Sequence, residues 1–187
     1  MNEDIQAALE VLQKGGVILY PTDTIWGIGC DACHAEAVKR IYAIKNREDS
    51  KSMLVLMENA TWLERYVDEV PETAFDLIEL SDKPLTIIYD GAKNLAPNLI
   101  AEDGSIGIRI TSEAFTSELI RKFKRPVVST SANFSGNPSP ANFSEIDPAI
   151  IAAVDYVVKY RQDETVKARP SGIIKLGKGG LVKVIRP

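Results

Sequence analysis

The stretch Gly15-Gly16-Val17-Ile18-Leu19-Tyr20-Pro21-Thr22-Asp23-Thr24 decides the fold class. Just before it, residues 4–14 carry Ile5, Ala8, Leu9 and Leu12, the i, i+3, i+4, i+7 stripe of an amphipathic helix. The glycine pair ends that helix, and the apolar residues 17–20 form a short strand that Pro21 stops. A Gly-containing loop over 22–34 follows. Working outward, the pattern alternates. Helices are predicted at 37–44, at 61–80 in two pieces with Pro71 starting the second, at 113–123 and at 146–153. Strands are predicted at 53–57, 85–89, 105–110, 126–129, 156–158, 172–176 and 182–185. Interleaved helices and strands imply an α/β sheet with helices packed on it. Polar loops at several strand ends would then converge on one cleft.

The chain has 187 residues and a formal net charge of −4, with 45% hydrophobic and 26% charged residues. That is ordinary for one globular domain, here residues 1–187, and it excludes wholesale disorder. No apolar run approaches the roughly 20 residues of a membrane span. The start, Met1-Asn2-Glu3-Asp4, is acidic and leads into the helical stripe, so neither a secretory signal nor a transit peptide is read and a cytoplasmic location is expected. The charge balance excludes a strongly basic nucleic-acid coat but leaves room for a local basic cleft. With one histidine in the chain, a histidine triad would need His34, and a multi-histidine metal site is excluded.

Several motifs have both a structural and a chemical reading. Cys30-Asp31-Ala32-Cys33-His34 matches haem attachment in spacing, but no export context accompanies it, and zinc lacks a second ligand pair. Neither haem nor zinc is expected. Cys30 and Cys33 read as reduced thiols at a loop-to-helix junction. Gly27-Ile28-Gly29 and Gly177-Lys178-Gly179-Gly180 lack complete nucleotide-loop spacing and read as turns. Lys45-Asn46-Arg47, with Lys51 nearby, either caps a helix end or clamps phosphate, and Glu48 and Asp49 allow a solvated face. Ser129-Thr130-Ser131-Ala132-Asn133-Phe134-Ser135-Gly136 is either a capped turn or a set of donors to an oxyanion. Arg109, inside Ile106-Gly107-Ile108-Arg109-Ile110, faces solvent or meets an anion; Gly107 thins the same face and leaves room for a ligand.

Taken in order, these segments resemble the YrdC-like family, whose characterised enzymes make threonylcarbamoyl-AMP. The resemblance rests on residues 15–27, on Ile41-Tyr42-Ala43-Ile44-Lys45-Asn46-Arg47, on Pro84-Leu85-Thr86, on Gly107-Ile108-Arg109, on 129–136 and on Pro170-Ser171. It implies a twisted mixed β-sheet flanked by helices with a deep central cleft. It also implies the reaction of L-threonine, bicarbonate and ATP with Mg2+ to give threonylcarbamoyl-AMP, pyrophosphate and water. A separate transferase complex would then use the product to modify position 37 of tRNA. Carried over by position, Thr24, Arg109, Ser129 and Ser171 would hold threonine, with Arg109 on its carboxylate. Lys45, Arg47, Lys51, Ser105, Ser131, Asn133, Ser139 and Arg186 would hold ATP, and Lys45, Arg47, Ser131 and Asn133 form the catalytic set. No dedicated protein metal site is expected, because Mg2+ would ride on the triphosphate.

The sequence departs from the family pattern at several places, including Leu80-Ser81-Asp82-Lys83 ahead of Pro84-Leu85-Thr86, where the family has W-P-G before its P-L-T. Leu56 stands where some relatives carry a histidine beside the threonine. Thr111 replaces a usual proline, and Gly172 and Lys175 alter the segment after Ser171. With Pro187 as the last residue, the further carboxy-terminal domain of longer members is not expected. A binding module for tRNA or double-stranded RNA is the alternative, using Lys45, Arg47, Lys51, Arg109, Arg121, Lys122, Lys124 and Arg125 as its basic face. A hydrogenase-maturation carbamoyltransferase ranks third, since those chains are larger and carry zinc-finger-like cysteines.

Overall fold

The computed structural model describes residues 1–46 and 53–187, except for the side chain of Lys178. Helix α1 (Asn2–Gln13) buries Ile5, Ala8 and Leu12 and leads to strand β1 (Ile18–Tyr20). The turn between them places Gly15 at φ +74°, in the left-handed region, with the His34 ring 3.0 Å from where a Cβ would stand. Glycine therefore ends the helix both by conformation and by space. The chain continues through β2 (Gly27–Gly29), α2 (Ala35–Ile44), β3 (Leu54–Met57), α3 (Leu63–Tyr66), α4 (Glu72–Leu80) and β4 (Leu85–Tyr89). It closes with β5 (Ile106–Ile110), α5 (Ala114–Phe123), β6 (Val127–Ser131), α6 (Pro148–Ala153), β7 (Tyr156–Val157), β8 (Gly172–Leu176) and β9 (Val182–Arg186). No helix among the described residues is long and apolar enough to cross a membrane.

The strands form one mixed sheet in the order β7-β1-β2-β6-β3-β5-β4-β8-β9. Pairs β1/β7, β3/β5 and β4/β8 are parallel, and the others are antiparallel. The expected α/β class and the interleaved elements are therefore present. Their ends fall within a few residues of the predicted ones, but Gly27-Ile28-Gly29 is a strand and not a turn. It pairs with β1 on one side and β6 on the other. A Cβ on Gly29 would overlap the Val128 carbonyl and lie 2.6 Å from Tyr20 Cε1. The glycine that hides the strand from a propensity reading is what lets its neighbours close around it. Gly177–Gly180 does turn, through a short 3-10 segment.

Asp4 shows how distant parts of the chain are tied. Its carboxylate accepts from Tyr156 Oη (2.6 Å) and from the backbone N–H of Lys159 (3.0 Å) and Tyr160 (3.1 Å). Burial opposes its charge, yet these donors hold its pKa below the ordinary value. A depressed carboxylate stabilises the fold above its unfolded pKa of 3.8, and that contribution disappears as pH falls through the folded value. Asp4→Asn is expected to cost about 1–2 kcal/mol at neutral pH, with the gap to wild type narrowing below pH 3.8. Urea unfolding across pH checks this.

Candidate active site

One face of the sheet carries the cleft. Register pairs Leu54 with Ser129, Leu56 with Arg109, and Thr86 with Ile173, so alternation places these six side chains on the same side. Gly107 shares that face, between Leu54 and Thr86, each 3.4 Å from its virtual Cβ. The resulting hollow holds about 260 Å³ and is lined by Thr24, Trp26, Arg109, Ser129, Ser131, Ser139, Ser171 and Arg186, among others. Trp26 closes one wall against Phe143, with ring centroids 4.9 Å apart.

Arg109 is 2% exposed. Its Nη2 lies 3.0 Å from Asp23 Oδ1 and donates to Thr24 Oγ1 at 3.2 Å, and Nη1 reaches Thr86 Oγ1 at 3.5 Å. The Asp23 contact pairs the charges without hydrogen-bond alignment, and Nε has no partner. Burial pushes the Asp23 carboxyl upward, while the guanidinium pulls it back. An incompletely bonded, buried cation on a cleft wall favours an added acceptor. Leu56, alongside in β3, is fully buried and offers that cation no polar contact.

Two hydroxyls absent from the predicted ligand sets organise the ones in it. Thr22 is buried, donates to the Ile25 carbonyl (2.7 Å) and accepts from the Thr24 N–H (3.1 Å), which shapes the Pro-Thr-Asp-Thr turn. Thr86 Oγ1 lies 2.8 Å from Ser171 Oγ and so links Ser171 to Arg109. The hydroxyl at i and i+2 around Asp23 is the sequence sign of the first; no local sign marks the second.

The remaining predicted ATP residues divide. Ser131, Ser139 and Arg186 reach the cleft, with Arg186 Nε donating to the Ser171 carbonyl at 2.8 Å. Lys45 is 1% exposed at the end of α2. Its ammonium donates to the Ser131 carbonyl, to Asn133 O (2.7 Å) and to Asn133 Oδ1 (3.3 Å), while Asn133 Nδ2 donates to Asn137 O (2.6 Å). These two side chains knit the serine-rich loop from beneath. Arg47 and Lys51 lie outside the described residues.

Ser105 is not brought to the cleft. It sits at the other end of β5 from Arg109, where its hydroxyl donates to Asp103 Oδ1 at 2.5 Å. Together with the Ser105 N–H and Lys175, it holds the Asp103 carboxyl down at about 2. Asp103 lines a larger hollow of about 870 Å³ with Asp68, Glu69, Glu72, Asp90 and Lys175. Lys175 is paired there with Asp90 and Asp103, at 3.1 Å each. That acidic hollow repels a triphosphate, so size does not make it the nucleotide site. Thr111, another departure from the family pattern, accepts from the Glu113 N–H (3.3 Å) at the turn into α5.

His34 is not among the residues that line the cleft. It is the N-cap of α2, and its Nδ1 accepts from the Ala37 N–H at 3.1 Å. His34→Ala is expected to cost about 1 kcal/mol of stability and to leave catalytic rate unchanged, as thermal melts and turnover together would show. Cys30 is buried and Cys33 half-buried, neither in a disulfide, and burial pushes both thiols up.

A nine-stranded mixed sheet with this cleft is the architecture of a known group of α/β proteins. The structure of E. coli YciO, 26% identical, superimposes with a TM-score of 0.85 over 100% of this chain and 89% of that one. P. abyssi Sua5 complexed with L-threonine shares the fold at a TM-score of 0.87 and 24% identity, over 98% of this chain and 53% of that one. A family model for Sua5, yciO and yrdC, described as "Telomere recombination", matches residues 10–187. A protein of Pseudoalteromonas translucida named "Threonylcarbamoyl-AMP synthase" is 33% identical over 157 residues, 82% of this chain and 84% of that protein. The chain belongs to the YrdC-like family.

Proposed function

We propose that this chain is a threonylcarbamoyl-AMP synthase. The observation that carries the reading is Arg109, a buried guanidinium on the cleft wall with an unpartnered Nε and the hydroxyls of Thr24, Ser129 and Ser171 around the same hollow. That set suits a small hydroxy-amino acid: a cation for the carboxylate and hydroxyls for the polar remainder. Relatives near 30% identity that carry the synthase name support it.

In this reading the threonine amine and bicarbonate form a carbamate and water. A carbamate oxygen then attacks the α-phosphorus of ATP, and the bond to the β,γ-pyrophosphate breaks. Such chemistry depends on positioning and on neutralising charge, with Mg2+ arriving on the nucleotide. Ser131, Ser139 and Arg186 are the described cleft residues assigned to ATP; Lys45 and Asn133 hold the loop that presents Ser131, and Arg47 and Lys51 complete the set.

The test is pyrophosphate release from ATP, Mg2+ and bicarbonate, with L-threonine, serine, glycine or no amino acid. Threonine-dependent release is expected. A folded protein that releases none with any amino acid would overturn the reading. The RNA alternative draws less support. Arg121 and Lys122 pair with Glu118, Arg125 with Asp31, and Lys45 is buried, so much of its basic face is already engaged.

A further inference from the structure

Strand β9 is the sheet's last strand, and residues 182–186 are all exposed. Val182 pairs with Leu176, Lys183 with Lys175 and Val184 with Ile174, in a regular antiparallel register. The next pair breaks the count: Ile173 faces Arg186, with a register shift between Ile173 and Ile174. Ile185 is therefore an extra residue, taken up as a β-bulge. In an uninterrupted ladder Ile185 would face Ile173, and Arg186 would face Gly172.

Parity makes that single residue consequential. Gly172, Ile174 and Leu176 belong to one face of β8, and the last two are core residues. Ile173 belongs to the other face and lines the cleft. A regular β9 would send Arg186 to the side away from the cleft, because a one-residue slip exchanges the faces of a strand. The bulge instead brings it opposite Ile173, where its Nε bonds to the Ser171 carbonyl at the cleft rim.

We infer that the Ile185 bulge is a positioning device that delivers the Arg186 guanidinium to the anionic end of the nucleotide. This inference rests on the reading of Arg186 as an ATP contact. Ile185 acts through spacing alone, so its own side chain is dispensable, whereas the face on which arginine emerges is not.

Three variants of the full chain test it by calorimetric titration with ATP, with melting temperature as the folding control. Arg186→Ala is expected to weaken ATP about tenfold or more, the loss of a charge-assisted contact. Deleting Ile185 removes the bulge but leaves the arginine opposite Ile173 in regular register, so ATP affinity is expected to stay within about twofold of wild type. Val184→Arg combined with Arg186→Ala moves the cation to the Ile174 face at an exposed position, and no rescue is expected. If that relocated arginine restores ATP affinity, or if the folded deletion variant binds as poorly as Arg186→Ala, the positioning inference fails. A harmless Arg186→Ala would instead refute the assignment of Arg186 to ATP, and the inference with it, while threonine-dependent pyrophosphate release would still stand or fall on its own assay.

Discussion

Arg109→Met removes threonine-dependent pyrophosphate release almost completely, with kcat/KM expected to fall about a hundredfold or more. The same change costs stability. Arg109 and Asp23 form a buried ion pair at 3.0 Å, with side chains only 3% and 11% exposed, and breaking such a pair from one side costs about 3–5 kcal/mol. Burial already pushes the Asp23 carboxyl up, and the Arg109 guanidinium is the strongest group opposing that push. In the variant the folded state therefore holds the Asp23 proton more tightly than the unfolded chain does. Its stability is best in acid and declines as pH rises through the folded pKa. Adding Asp23→Asn removes the stranded charge, so the double variant should be more stable than Arg109→Met at neutral pH and equally inactive. Denaturant melts at several pH values and the pyrophosphate assay separate the two effects. A double variant that recovers activity would place amino-acid recognition elsewhere in the cleft.

Lys45→Met has the second largest expected effect, because it removes donors from a buried knot. The Ser131 and Asn133 carbonyls and the Asn133 side chain all accept from this ammonium, and the Ser135 N–H donates back to the Lys45 carbonyl at 2.8 Å. Methionine fills the volume but donates nothing, so a loss of about 2–4 kcal/mol is expected even without nucleotide. Turnover should fall as well, since Ser131 would lose its fixed place. A lysine that served only as a phosphate clamp would behave oppositely: removing its buried charge would be neutral or stabilising in the free protein. Thermal melts with and without ATP distinguish the two roles.

Most elements were legible because their signals are local. The stripe of α1, the apolar runs of β4 and β8 and the proline at the start of α4 each lie within one short window. Strand β2 is not legible: three residues with two glycines carry no periodicity, and the reason for Gly29 is the approach of Tyr20 and Val128 from other strands. The family resemblance assigns Ser105 to ATP, but Ser105 stands four residues before Arg109 in the chain. In an extended strand that spacing is about 13 Å, enough to keep Ser105 at the far end of β5 beside Asp103 while Arg109 lines the cleft. His34 needed the structure to show that its ring caps a helix.

What the sequence by itself determined is the set of chemical groups and the order of elements. A lone arginine in an apolar strand, hydroxyls after another strand, and helices alternating with strands are properties of composition and period, and they survive without coordinates. Tertiary structure alone decided which groups share a surface. The faces of β3, β4, β5, β6 and β8 are matched by pairing across the sheet, so Thr86 joins Ser171 and Arg109 although 85 and 23 residues separate it from them. The side on which Arg186 emerges depends on one unpaired residue in β9. Strand pairing and bulges are contacts between separate strands, and no pattern within a single strand encodes them.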